Sequence, residues 1–155
     1  MIDGLRQLGV EVDAEDDGAT LRIRGTGGEF VVDGADLFVA NSGTTIRFLT
    51  AMVSAGKGTF RLDGIERMRS RPIGDLLDAL GQLGADTQSE NENGCPPVII
   101  HANGLKGGTA RVRGDISSQF LSGLMMATPC ASREVHIEVE GELVSKPYVA
   151  MTLAV

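Results

Sequence analysis

The sequence predicts an α/β domain with mixed sheets, written twice along the chain. Three observations carry that class: a long internal period, an alternation of strand-like and helix-like patterns, and a turn-rich composition. Shifted by 75 positions, Ile2-Leu5-Leu8-Gly9 falls on Leu77-Leu80-Leu83-Gly84, and Arg71-Pro72 falls on Lys146-Pro147. At a step of 77, Phe60-Arg61-Leu62-Asp63-Gly64 falls on Ile137-Glu138-Val139-Glu140-Gly141. A period this long exceeds a solenoid repeat and has room for several strands and helices, so the copies are expected at approximately 1–75 and 76–155. Twenty-one glycines and 4% aromatics imply short elements joined by tight turns.

In the first copy, Val10 to Val12, Thr20 to Ile23 and Glu29 to Val32 have strand patterns, bounded by Asp16-Asp17-Gly18 and Gly25-Thr26-Gly27-Gly28. Thr45 to Ala55 carries Ile46, Leu49 and Val53 on one face and stops at Gly56, which predicts a helix. Thr59 to Leu62 is a strand. Pro72 to Leu83 is the clearest helix, with Pro at its first position, Ile73, Leu76, Leu77, Leu80 and Leu83 at helical spacing, and Gly84 as its cap. The second copy repeats the order: strands near Ala85 to Thr87, Val98 to His101 and Thr109 to Val112, helix Ser118 to Ala127, strand Val135 to Val139, helix from Pro147. Each copy is thus strand-helix-strand-helix-strand-strand in cyclic order. Both ends of the chain fall inside the repeat's helix, so an excerpt from a longer repeating protein is expected.

With 42% apolar residues, 155 residues can bury one core, roughly 70% of the unfolded surface. Fourteen Lys and Arg against 21 Asp and Glu give −7, which argues against a general nucleic-acid or membrane-surface binder. No apolar run approaches the ~20 residues of a membrane span. Met1-Ile2-Asp3 lacks the basic and apolar regions of a signal peptide, so a cytoplasmic location is expected. Cys95 and Cys130 lie far apart with no CxxC, which favours free thiols over a disulfide or zinc; no metal and no cofactor is expected.

Three helix starts hold the chemistry. Asn41-Ser42-Gly43-Thr44-Thr45-Ile46-Arg47 sets small polar residues and a glycine before a helix, where exposed amides and the positive dipole end can cradle an anion. An ordinary capping cluster explains the same residues. Asp115-Ile116-Ser117-Ser118-Gln119-Phe120 is the second, with two serines and a glutamine where a cap needs one hydroxyl. Arg71-Pro72-Ile73-Gly74 is the third, matched by Ser145-Lys146-Pro147-Tyr148. There a cation precedes a helix N-terminus, which the dipole disfavours; its recurrence in both copies suggests an anion between cation and helix end. Elsewhere, His136 and His101 lack partners for catalysis, Met125 and Met126 suit helix packing, and the acidic run Glu11 to Asp17 is a solvated turn.

Taken in order and spacing, the Asn41–Arg47 run, Arg67-Met68-Arg69-Ser70-Arg71-Pro72-Ile73-Gly74, Ser117-Ser118-Gln119-Phe120 and Ser145-Lys146-Pro147-Tyr148 resemble the 5-enolpyruvylshikimate-3-phosphate synthases, the 3-phosphoshikimate 1-carboxyvinyltransferases. The likeness spans essentially the whole chain, Cys95-Pro96-Pro97 included. It implies an inside-out α/β barrel: two lobes, each of three βαβαββ units about a pseudo-threefold axis, with the active site between them. This chain corresponds to about two units of one lobe. Two departures stand out: Ala40 occupies the position of a usual glycine, and Phe48 that of a common proline.

The resemblance implies transfer of the enolpyruvyl group of phosphoenolpyruvate to the 5-hydroxyl of shikimate 3-phosphate. Ser117, Ser118 and Ser145 would hold the shikimate phosphate, Gln119 would bridge the substrates and Tyr148 would lie beside the ring. Gly43 and Arg71 would take the phosphate of phosphoenolpyruvate, with Asn41, Thr44 and Arg47 shaping that loop. The family's acid/base carboxylates and lysines fall outside this chain, so no catalytic residue is assigned within it. The remaining lobe of the same enzyme is the expected partner, and the chain alone is expected to be inactive. A UDP-N-acetylglucosamine enolpyruvyl transferase and a non-catalytic anion-binding module are the alternatives.

Overall fold

The central helices form where apolar side chains recur every three to four residues, and two helices of the chain end at a left-handed glycine, Gly9 and Gly84. The computed structural model describes residues 1–155. In chain order the elements are α1 (Ile2–Gln7), β1 (Glu11–Glu15), β2 (Thr20–Arg24), β3 (Gly34–Phe38), α2 (Gly43–Ser54), β4 (Lys57–Asp63), α3 (Gly74–Gln82), β5 (Asp86–Ser89), β6 (Val98–Asn103), β7 (Gly108–Arg113), α4 (Ser118–Ala127), β8 (Val135–Glu140) and α5 (Lys146–Ala154). Helix α3 closes in a Schellman motif: Gly84 N–H donates to Gly81 C=O at 2.9 Å and Ala85 N–H to Leu80 C=O at 3.1 Å, with Gly84 left-handed at φ +93. Helix α1 closes the same way, Gly9 on Arg6 and Val10 on Leu5.

Two parallel pairs, β3 with β4 and β7 with β8, each cross over through a helix, α2 and α4 respectively. The hairpin β5–β6 adds to β4 antiparallel, giving a mixed sheet in the order β3-β4-β6-β5. The hairpin β1–β2 and the pair β7–β8 stand as separate two-stranded sheets, and no barrel closes. Helices α2, α3 and α4 and the inner faces of β4 and β6 supply most of the core, whereas α1 buries none of its residues and α5 only Val149. Nine of the twelve α2 residues are buried, a pattern of a helix covered on nearly all sides. Helix α2 packs on β4, β6, α3 and α4, and α4 packs also on α3 and α5. At the α2–α4 crossing Gly123 faces Ala51 and the Arg47 carbonyl, so the two helices approach closely enough for their N-termini to meet.

Three sequence expectations are corrected here. Glu29 to Val32 is not a strand: Glu29 N–H closes a turn on Thr26, and Phe30 packs edge-on against Phe60, ring centroids 5.9 Å apart. The strand begins later, at Gly34, because Gly34 meets the Thr59 backbone and Gly58 meets the Asp33 backbone where any Cβ would collide. Glycine counted as a breaker in the sequence is what lets β3 and β4 pair. The acidic run from Glu11 is strand β1 as far as Glu15, with only Asp16–Gly18 forming the turn. Helix α3 starts at Gly74 rather than Pro72: Ile73 is its cap, and the Ile73 and Gly74 N–H groups both donate to Gly94 C=O, at 2.8 and 3.0 Å.

Both cysteines are free, Cys95 half-buried and Cys130 exposed. No helix is long and apolar enough to cross a membrane.

Candidate substrate cleft

Helices α2, α4 and α5 start around one cleft of about 890 Å³. Ser42 caps α2: its Oγ accepts from Thr45 N–H at 3.3 Å and donates to Thr45 Oγ1 at 2.7 Å. Ser117 caps α4, accepting from Gln119 N–H at 3.3 Å. Helix α5 is entered through Ser145 in the left-handed region, φ +54, with Pro147 in the first turn. The expected residues Thr44, Arg47, Arg71, Ser117, Ser118, Gln119, Ser145 and Tyr148 all border this space. Gly43 and Asn41 are not on its border and meet it only through the Arg71 side chain.

One side-chain network ties the α2 and α4 starts together. Gln119 Nε2 donates to Thr44 Oγ1 at 2.8 Å while its Oε1 accepts from Arg47 Nη1 at 2.6 Å. The Arg47 donor therefore fixes which end of the Gln119 amide is the acceptor. Arg47 also donates from Nη2 to Pro72 C=O at 3.3 Å and stacks its guanidinium 5.0 Å from the Phe120 ring centre. It is buried, 8% exposed, and its Nε has no hydrogen-bond partner. Burial, and then the nearby Arg71 charge, pull its pKa below the usual guanidinium range. A buried cation without a carboxylate partner, beside a second cation, is a site that favours an anion.

Arg71 corrects the reading of the third helix start. Its cation does not face the α3 N-terminus, whose first amides are occupied by Gly94. The side chain instead turns back across the fold to α2, where Nη1 donates to Asn41 C=O at 3.2 Å and the guanidinium fills the space a Cβ on Gly43 would need. Glycine at 43 is thus required by Arg71 itself, and Asn41 contributes its carbonyl. Lys146, the repeat counterpart, is exposed at the start of α5 and does not border the cleft.

The loop that carries Arg71 is anchored by Asp63 at the end of β4. Its buried carboxylate accepts from Arg69 Nε and Nη2 at 3.0 and 2.6 Å and from Gly64 N–H at 2.7 Å. The Arg69 bonds, opposed by burial and reinforced by Gly64, hold the Asp63 pKa below the usual carboxylate range. A depressed folded-state pKa contributes stability above the unfolded value, about 3.9, which is lost as pH falls through the folded one. Thermal melts of Asp63→Asn should therefore depend less steeply on pH below about 4 than those of the unsubstituted protein; parallel curves would exclude this role.

Some of the wall was not evident in the sequence. Ser122 and Thr152 share a hydrogen bond at 2.8 Å that clips α5 to α4, and both border the cleft. Their signal is helical spacing: Ser122 lies four residues after Ser118, and Thr152 four after Tyr148, on the same faces. Met126 is 48% exposed and lines the cleft rather than the core; only Met125 packs inward. Ala40 holds φ +50, a left-handed conformation that favours glycine. Chemically, the cleft offers cations, hydroxyls, an amide and helix N-termini, all suited to anionic oxygen. Its border includes no Asp, Glu, Lys or His.

Residues 1–155 match the family model for EPSP synthase (3-phosphoshikimate 1-carboxyvinyltransferase). The chain is 50% identical over 153 residues to the 3-phosphoshikimate 1-carboxyvinyltransferase of Marinomonas sp. (strain MWYL1) and 48% identical over 154 residues to that of Nitrosomonas europaea; each match covers 99% of this chain and 36% of the relative. The fold superposes on the EPSP synthase of Acinetobacter baumannii with a TM-score of 0.79 and 29% identity, over 91% of this chain and 32% of that one. The chain therefore spans about a third of the length of these relatives. With the family model matched from end to end, this chain belongs to the EPSP synthase (3-phosphoshikimate 1-carboxyvinyltransferase) family.

Proposed function

We propose that this chain forms one wall of the substrate cleft of a shikimate-pathway synthase, in which the enolpyruvyl group of phosphoenolpyruvate passes to the 5-hydroxyl of shikimate 3-phosphate. In that reaction the 5-hydroxyl gives up its proton as its oxygen bonds to the enol carbon, and the methylene carbon takes up a proton to become methyl. Loss of one methyl proton and cleavage of the carbon–oxygen bond to phosphate then restore the double bond and release inorganic phosphate. Both substrates are anions. The observation that carries the reading is the buried, carboxylate-free Arg47 beside Arg71 at the point where the α2 and α4 N-termini meet.

In this reading Ser117, Ser118 and Ser145 take the phosphate of shikimate 3-phosphate, and exposed Tyr148 flanks its ring. Gly43 and Arg71 take the phosphate of phosphoenolpyruvate. Gln119 lies between the two positions, with its acceptor held by Arg47 and its donor on Thr44. The two proposed sequence copies, approximately 1–75 and 76–155, account for the symmetry: Thr44 and Gln119 occupy equivalent helix starts, and so do Ser42 and Ser117. The remaining lobe of such an enzyme supplies the opposite wall, and a cytoplasmic location accompanies this reading.

Amide-shift titration by NMR is the test. Shikimate 3-phosphate should shift the Ser117 and Ser118 amides at lower concentration than phosphoenolpyruvate shifts those of Gly43 and Arg71. The first ligand meets three hydroxyl residues and Gln119 here, whereas the carboxylate of the second finds no dedicated partner. Tighter binding of phosphoenolpyruvate would overturn the division of the cleft.

A further inference from the structure

We infer that Glu90, which lies outside the cleft, positions Arg71 by holding Arg61 off the carboxylate that anchors the Arg71 loop; its effect on turnover rests on the role proposed above for Arg71 at the phosphate of phosphoenolpyruvate. Loop 64–73 runs from β4 to α3, and both of its ends are tied to one other segment, the 90–97 connection between β5 and β6. At the α3 end, the Gly94 C=O accepts from the Ile73 and Gly74 N–H groups. At the β4 end, Arg69 rests on Asp63, Asp63 meets Arg61, and Arg61 rests on Glu90. Arg71 stands two residues from each tie, after Arg69 and before Ile73. Its own N–H closes on the C=O of fully buried Met68 at 3.0 Å.

The register of the sheet brings these charges together. Arg61, Ile99 and Gln88 stand in one row across β4, β6 and β5. Side chains alternate along a strand, so Asp63, two beyond Arg61, and Glu90, two beyond Gln88, share the face turned away from buried Phe60 and Leu62. The Glu90 N–H donates to Pro97 C=O at 2.9 Å, which extends the β5–β6 ladder and fixes where the side chain emerges. Its carboxylate accepts from Arg61 Nε and Nη2 at 2.5 and 3.0 Å, a bidentate fork that sets the orientation of the guanidinium. The connection itself is pinned, since Cys95 N–H donates to Asn93 Oδ1 at 3.0 Å.

Arg61 Nη2 also reaches Asp63 Oδ2, at 3.4 Å, and the same oxygen accepts from Arg69 Nη2 at 2.6 Å. Two cations thus compete for one oxygen, and Glu90 favours Arg69 by occupying Arg61. The Arg61 bonds hold the Glu90 carboxyl below its usual range, so the alternation Glu90, Arg61, Asp63, Arg69 is fully charged at neutral pH. Without Glu90, Arg61 moves onto Asp63, the Arg69 fork loosens, and the loop gains freedom two residues before Arg71. Stability changes little, because pairs this close to solvent contribute little by themselves. What changes is where the Arg71 guanidinium lies against Gly43. A through-space charge effect has the opposite sign: removal of a carboxylate would make the region more positive and strengthen phosphate binding.

Two measurements on Glu90→Ala, and on the same variant with Arg61→Met added, test this. Met keeps a long stem at 61 and removes every donor. In the 155-residue chain without substrate, NMR should show faster water exchange of the Arg69 Nε–H and a displaced Gly43 amide in Glu90→Ala, at an unchanged melting temperature; the double variant should restore both signals. In a chimera with the Marinomonas relative, Glu90→Ala should lower kcat/KM for phosphoenolpyruvate by about tenfold, short of the ~10²-fold that a 1 Å misplacement can cost. The KM for shikimate 3-phosphate should stay unchanged, and the double variant should recover most of the loss. An Arg69 signal indifferent to Glu90→Ala overturns the proposal and leaves the role of Arg71 standing, as does tighter binding of phosphoenolpyruvate. A double variant no better than the single one also overturns it, by marking ordinary structural damage. If the NMR responses appear but Arg71→Ala leaves turnover unchanged, the role of Arg71 at the phosphate fails, and the effect of Glu90 on turnover fails with it.

Discussion

Purified alone and given both substrates, the 155-residue chain should release phosphate no faster than a protein-free control. Enzymes of this kind gain rate from preorganised charge and from proton donors and acceptors placed at a water-excluded site, the latter contributing typically 10²–10⁴-fold. The cleft borders offer Arg47, Arg71, Gln119 and several hydroxyls, and no side chain that exchanges a proton near neutral pH. Nothing there can protonate the methylene carbon of phosphoenolpyruvate or take the proton of the attacking hydroxyl. The cleft is also one-sided, so water reaches both substrates. A continuous phosphate assay is the measurement. Sustained release abolished by Gln119→Ala would show that the wall is itself a catalyst and would sink this account.

The sequence disclosed helices better than strands, for a reason visible in the residues. Helix α4 spans Ser118–Ala127 as the spacing of Phe120, Leu121, Leu124 and Ala127 requires, and Ser117 caps it. A strand needs a partner, and the partner of β3 is β4, distant in sequence; its position depends on the backbone contact at Gly34 and Gly58, which no local pattern announces. The same limit governs the site. Capping hydroxyls Ser42 and Ser117 were legible because they act on their own helices. Arg71 was legible as a misplaced cation, but its destination was not, since a long side chain reaching 30 residues back to Asn41 is a tertiary fact. Ser122 and Thr152 carry no local signal of their contact, which exists only because α5 lies against α4.

Arg71→Ala should leave the isolated chain as stable as before, yet greatly reduce turnover when the chain replaces the matching segment of the Marinomonas relative. Its single hydrogen bond is to Asn41 C=O at 3.2 Å, and it forms no ion pair; removal also relieves the repulsion that lowers the Arg47 pKa. The change in stability should therefore stay within about 0.5 kcal/mol, the range of surface substitutions away from structural features. A core change such as Leu80→Ala, at a fully buried position, should by contrast cost about 2–5 kcal/mol. In the chimera, loss of a preorganised charge at the phosphate should lower kcat/KM by about 10²–10³, the scale seen when one transition-state donor is removed. Arg71→Lys should recover only part of that loss, because an ammonium cannot reproduce the planar fork that now lies against Gly43. If Arg71→Ala instead lowered the melting temperature as far as Leu80→Ala does, the guanidinium would be a structural strut between the loop and α2, and the cleft's anion site would have to rest on Arg47 alone.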